Sequence, residues 1–257
     1  MRIVTFISVL MVFVSGSVHG LEAGASKVEI TPPVGTPLNG YGDRMGRDSL
    51  AVHDPLYARC LYLSDGQTGV LLVTADLCII NRELRERVLQ LAPKEIPREN
   101  IILTATHTHS GHGAMVRNIV FRFVSGGFIP EVLEQTAQRF AEAMRSAYDG
   151  RKRAAIGYTT IEQRDLSSNR RYDSGPIDPQ IGVIRVDDGD GNPIAVVANF
   201  AAHPTTVSDD DLYLISADYP GFFYKHLEQL AGGTCVAMFM NGAEANQRPT
   251  NPENKPD

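Results

Sequence analysis

An α/β fold, a mixed β-sheet flanked by helices, is predicted by three features of the sequence. Short β-branched apolar runs recur along the chain. They alternate with segments whose apolar residues repeat at helical spacing. The helical segments also carry their own start and stop signals. The 257 residues suffice for a large core, and 43% hydrophobic with 21% charged is the balance of an ordinary globular protein. A formal net charge of −6 argues against a nucleic-acid partner. The basic triplet Arg151-Lys152-Arg153 reads as a solvated turn.

Residues 1–20 read as a signal peptide, with Arg2 at its start, an apolar run over 3–14 and small residues after it. That run is too short for a membrane span, which needs ~20 residues, so the mature protein is expected to be exported, periplasmic or secreted. Residues 21–257 form the expected domain. A strand over 25–30 stops at Pro32-Pro33, and 37–47 is a polar, glycine-bearing loop. Strands over 56–63 and 70–76 flank the hairpin signal Asp65-Gly66. Asn81 caps a helix with Leu84, Val88 and Leu91 on one face, ended by Pro93. Residues 101–106 are apolar enough for a strand buried on both faces.

Pro130 opens a longer helix with Leu133, Ala137, Phe140, Ala141, Met144 and Tyr148 on one face, and Gly150 closes it. Strands follow over 154–161, 181–186 and 194–200. A helix with Pro220 in its first turn carries Phe223, Leu227 and Leu230, and 235–240 is the last strand. The acidic stretch 187–192 reads as a hairpin turn and Asp209-Asp210-Asp211 as a surface loop. Cys60, Cys78 and Cys235 are an odd set with no close pair, expected to be free and buried. A polar segment, Asn241-Gly242-Ala243-Glu244-Ala245-Asn246, has active-site character yet comes near the end, so a longer protein is expected.

Chemistry concentrates at strand ends. Thr106-His107-Thr108-His109-Ser110-Gly111 follows an apolar strand, and side chains two apart on extended backbone share a face. Neutral imidazole binds zinc and moves protons near neutral pH, although two polar residues on an exposed edge strand would look the same. His203, in Ala202-His203-Pro204-Thr205, again stands where an apolar strand ends, and three such histidines favour a shared metal. His112 reads as a mobile loop histidine first and a ligand second, His53 as a turn residue and His226 as a solvent-side helix residue, while His19 goes with the signal peptide. Asp76 has two open readings, orienting a metal-bound imidazole or capping a turn. Arg170 lies in a polar loop, where it is either solvated or a carboxylate and oxyanion binder. Asp218 reads as a helix cap. No Gly-X-Ser-X-Gly, phosphate loop or dinucleotide fingerprint occurs, which favours metal-assisted chemistry.

Seven short motifs in order resemble the neutral/alkaline non-lysosomal ceramidases across nearly all of residues 21–257. They are Ile30-Thr31-Pro32-Pro33, Gly40-Tyr41, Ala75-Asp76, the His107-Thr108-His109-Ser110-Gly111 run, Asn169-Arg170, His203-Pro204-Thr205 and Ser216-Ala217-Asp218-Tyr219-Pro220-Gly221. The resemblance implies a ceramidase-like N-terminal domain and a zinc-dependent amidase releasing sphingosine and fatty acid from ceramide. It implies zinc (Zn2+) ligation by His107 and His203, with His109 and Arg170 beside the scissile amide. It also implies a small-molecule or lipid amide substrate, with contact at a membrane surface. The family's further glutamate and tyrosine ligands and its immunoglobulin-like domain lie downstream of anything here. Arg248 stands at the position of the family's serine nucleophile, and arginine has no hydroxyl and stays protonated. A hydrolase of another substrate and a non-catalytic exported relative therefore remain alternatives.

Overall fold

The computed structural model describes residues 20–207 and 211–250. The expected signal peptide up to residue 19, Asp209 and Asp210 of the acidic loop, and the tail from residue 251 lie outside the described residues. Along the chain run β1 (Glu22–Glu29), β2 (Ala51–Val52), β3 (Tyr57–Ser64), β4 (Gly69–Ala75), α1 (Arg82–Leu91), β5 (Ile101–Ala105), α2 (Arg122–Ser125) and α3 (Pro130–Asp149). Then come β6 (Lys152–Glu162), β7 (Ser167–Asn169), β8 (Gln180–Asp188), β9 (Pro193–Phe200), β10 (Leu214–Ile215), α4 (Tyr219–Leu230), β11 (Val236–Asn241) and β12 (Gln247–Pro249).

Eight strands form one mixed sheet in the order β11-β9-β8-β6-β1-β3-β4-β5. The outer pairs β11–β9 and β4–β5 are parallel, and the inner pairs are antiparallel. Period-2 alternation sends neighbours to different cores. Cys60, Tyr62, Leu71 and Val73 meet α1 and α3 on one face. Leu61, with Ala23, Val186, Val197 and Met238, fills the other. Phe200, Ala237 and Phe239 pack with α4.

The sheet curls until its two ends meet, so that β11 packs against β3, β4 and β5. The free edge of β11 would leave carbonyls without partners. Side chains satisfy them instead: Arg59 Nη1 donates to Ala237 O at 2.9 Å and Thr74 Oγ1 to Phe239 O at 2.7 Å. Asn241 Nδ2 continues the seam to Thr106 O at 2.9 Å. This closure brings the loops after β5, β9 and β11 to one end of the molecule.

Local signals were sound. Asn81 Oδ1 accepts from Leu84 N at 2.8 Å, Pro130 opens α3, and Asp188 Oδ1 accepts from Asp190 N and Asn192 N in the β8–β9 turn. All three cysteines are free and buried.

Five expectations are corrected. Among the described residues β5 is an edge strand paired only with β4, so Ile102 is 45% exposed rather than buried on both faces. The buried stripe of α3 runs through Val132, Thr136, Ala143 and Ala147 as well as Ala137, Phe140 and Met144, because α3 faces β1 and α1 together. Leu230 is 86% exposed at the last residue of α4. Residues 235–240 are not the last strand, since β12 pairs with β7 beyond them. Two residues of the basic triplet, Lys152 and Arg153, open strand β6 instead of forming a turn, and Lys152 Nζ meets Asp188 Oδ2 at 2.7 Å.

Candidate metal centre

The three strand-end imidazoles converge. Ring centroids are 4.9 Å apart for His107 and His109, 5.0 Å for His107 and His203, and 5.6 Å for His109 and His203. Strand alternation is not what pairs the first two, because β5 ends at Ala105 and His107 takes φ 67°. That left-handed turn, costly for a side-chain residue, is held by His107 N donating to Leu77 O at 3.0 Å.

Hydrogen bonds fix which nitrogen faces the cluster. His107 Nδ1 donates to Cys78 O at 2.7 Å and His203 Nδ1 to Glu244 O at 2.9 Å. Each ring therefore keeps its Nε2 lone pair free, the arrangement that second-shell carbonyls give metal-bound imidazole. His109 Nε2 lies 3.3 Å from His107 Nε2, and its own Nδ1 is buried with no hydrogen-bond partner. Burial first, then the neighbouring His107, His203, Arg44 and Arg170, lowers the pKa of His109 to about 3. His203 is also lowered, chiefly by burial. Both rings are neutral at physiological pH, the form that ligates. A divalent cation fits this donor set, since the imidazoles of His107 and His203 turn toward the cluster the nitrogens that their backbone partners leave uncommitted.

Arg170 joins the cluster through β7. Its backbone N donates to Asn246 O at 2.8 Å and its Nε to Ala245 O at 2.9 Å, and its charge reaches His109 and His203. Arg248 on β12 pairs with Ser168, two residues before Arg170, and faces solvent, with Nε donating to Ser168 Oγ at 3.2 Å.

Other residues take structural places. Asp76 is fully buried, accepting from Tyr57 N at 2.8 Å and Tyr224 Oη at 3.3 Å, so it orients no imidazole; that task falls to the carbonyl of Cys78, two residues on. Burial raises the Asp76 pKa to about 7 despite nearby Arg59. His112 is no mobile residue: it is 1% exposed, with Nε2 at 2.9 Å from Thr136 Oγ1 under α3. His53 bonds its neighbour Asp54, and His226 lies exposed on α4. Asp218 caps α4 through Tyr219 N and does more. Its carboxylate accepts from Thr206 N, Thr206 Oγ1 and Val207 N at 2.7–2.9 Å, clamping the loop that carries His203.

Two contributions escaped the sequence reading. Glu244, in the loop after β11, lies 3.9 Å from His107 Nε2 by its Oε1. It ends an apolar strand just as His107 and His203 do, and that signal could have found it. Arg44 is 1% exposed within the polar loop. It donates to Asn39 O, Leu212 O, His109 O and Ser110 Oγ and stacks on Tyr41, whose ring edges against His109 at 4.9 Å. Gly40 completes the cover: at φ +114°, a Cβ there would fall 2.6 Å from His109 Cγ.

Residues 21–246 match the family model described as neutral/alkaline non-lysosomal ceramidase, N-terminal. The chain belongs to this ceramidase family. Among curated relatives, the neutral ceramidase of Mycobacterium tuberculosis is 26% identical over 215 residues, 76% of this chain and 33% of that protein. Neutral ceramidase B of Dictyostelium discoideum is 28% identical over 211 residues, 72% of this chain and 29% of the relative. The chain thus spans about a third of the length of these ceramidases. A crystal structure of the Pseudomonas aeruginosa neutral ceramidase superposes with a TM-score of 0.81 at 23% identity, covering 92% of this chain and 41% of that one. The mixed sheet and its flanking helices are therefore the ceramidase fold.

Proposed function

We propose that this chain is the zinc-binding, chemistry-bearing part of an exported amidohydrolase acting on ceramide or a related N-acyl lipid amide. The observation that carries the reading is the convergence of His107, His109 and His203, two of them with Nε2 freed by fixed tautomers. Family membership supports the substrate class, since the relatives are named neutral ceramidases.

His107 and His203 would hold the zinc. The chemistry expected of a zinc ion there is Lewis-acid polarisation of a carbonyl. Arg170 would bind the oxygen on which negative charge develops, its guanidinium already aimed by the Ala245 carbonyl and its backbone N held by Asn246 O. His109 would take a proton from an attacking water and return it to the departing amine nitrogen, so that the water oxygen ends in the released carboxylate and the C–N bond breaks. Its low basicity means that it is unprotonated when substrate arrives. Contact with a lipid surface would fall on Ile119, Val120, Phe121 and Phe123, which are exposed beside Arg122. Val124 O of the same segment accepts from Gly40 N, linking this apolar lip to the loop over His109.

Fatty-acid release from a short-chain N-acyl sphingosine tests the reading. Zinc-loaded protein should turn the substrate over, and His109→Ala or Arg170→Ala should lower kcat by about 10²–10⁴-fold. A second reading rests on Arg248: a zinc-binding relative that holds lipid amides without cleaving them. Substrate binding without release at stoichiometric zinc would favour it.

A further inference from the structure

Resting on that reading, we infer that Arg248 determines specificity by binding a negative charge, on a phosphate or a carboxylate, that the lipid amide carries beside its scissile bond. Strand pairing puts Arg248 next to the reaction site. On the β7–β12 ribbon it stands opposite Ser168, and residues directly opposite share a face. Arg170 shares that face two residues on, since its N donates to Asn246 O at 2.8 Å and carries the register one step past β7. Diagonal neighbours of this kind are about 7–8 Å apart, within reach of two long side chains. The other edge of β12 abuts the His203 loop, where His203 N donates to Gln247 O at 3.2 Å.

The two guanidiniums are anchored alike. Arg170 Nε donates to Ala245 O at 2.9 Å, and Arg248 Nε to Ser168 Oγ at 3.2 Å. Among the described residues, Nη1 and Nη2 of both make no hydrogen bond, and neither side chain has an ion pair. Arg44 differs, its guanidinium being spent on Asn39, His109, Ser110 and Leu212. Residues 166–172 and 245–250 contain no acidic side chain, and Glu244, just before the second stretch, lies 3.9 Å from His107 instead. Two uncompensated positive forks on one face repel each other until an anion joins them. Each planar fork matches two oxygens of a phosphate or carboxylate. With Arg170 committed to the developing oxyanion, Arg248 is left for a charge that the substrate itself brings.

Substrate selectivity of the zinc-loaded chain tests this. A short-chain N-acyl sphingosine, its phosphate ester and an N-acyl amino acid supply a neutral, a phosphate and a carboxylate arm. In wild type, kcat/KM for fatty-acid release should favour one of the anions over the neutral amide by about tenfold or more, and the favoured arm identifies the source of the charge. Arg248→Gln should bring that ratio near one by raising KM for the anion rather than lowering kcat, and Arg248→Lys should recover part of it. Arg98→Gln, at the opposite end of β5 from His107, controls for net charge and should keep the wild-type ratio. A wild-type ratio near one, or a ratio that Arg248→Gln leaves intact, would overturn the inference. Equilibrium binding of the same three compounds to His109→Ala, with and without Arg248→Gln, reads the preference without turnover. Anion preference there that depends on Arg248, with no fatty acid released by wild type, would overturn the amidase reading and uphold the role of Arg248. Equal binding of all three, with turnover in wild type, would overturn that role alone.

Discussion

His107 at φ 67° shows how much of this site is local strain held by neighbours. Three residues do the holding: Leu77 O takes its amide, Cys78 O takes its Nδ1 proton, and Arg44 gathers the carbonyl of His109 and the hydroxyl of Ser110. Arg44→Met would orphan several buried carbonyls at about 1–3 kcal/mol each, so we expect a large drop in unfolding free energy measured in urea, with Arg44→Lys recovering only part. Burial has lowered the pKa of Arg44 to about 10, still far above physiological pH, so the guanidinium stays charged. Asp76 gives a pH prediction of definite sign. Its pKa rises from 3.8 to about 7 on folding, through burial. Between those values the folded protein keeps a proton that the unfolded chain has lost, so this group makes stability fall as pH rises from about 4 to 7. Asp76→Asn should flatten that slope in chemical unfolding measured across the range; an unchanged slope would contradict the assignment.

Elements explain why the residues meet. The closing seam between β11 and strands β3–β5 is made by Arg59, Thr74 and Asn241, and Arg59 Nη1 also meets Glu228 of α4 at 2.5 Å. The packing of α3 on β1 is equally tight. A Cβ at Gly24 would lie 2.1 Å from Ala147 O, so Gly24→Ala should lower stability by about 1–3 kcal/mol in thermal or urea unfolding, by pushing α3 away. These elements differ in how far the sequence announced them. Asn81, Pro130, Gly150 and the Asp65-Gly66 turn are read within a few residues of chain, and the structure keeps them. The edge position of β5 and the rotation of the α3 face depend on sheet order, which no local pattern encodes. His112 was misread for the same reason: it follows a glycine like a loop residue, but α3 covers it.

At the scale of the molecule, a curled sheet turns three separate strand ends into one site. The strand-end rule therefore found His107 and His203 one at a time, and the curl made them neighbours. Arg44 was illegible because its role is defined by carbonyls contributed from residues 39, 109 and 212, remote in sequence. The apolar lip at Ile119, Val120, Phe121 and Phe123 is likewise a product of assembly. Replacing Phe121 and Phe123 together by Ser should weaken co-sedimentation with anionic lipid vesicles about tenfold or more, while zinc affinity stays at the wild-type value. Equal sedimentation would remove the lipid-surface contact and leave the metal centre untouched.

The central claim, that zinc sits between the histidines ending β5 and β9, is tested most directly by anomalous diffraction at the zinc edge from crystals grown with zinc. The account predicts one dominant peak about 2.0–2.1 Å from both His107 Nε2 and His203 Nε2. A dominant peak at any other group, or none at this cluster when the chain carries one zinc, would contradict it.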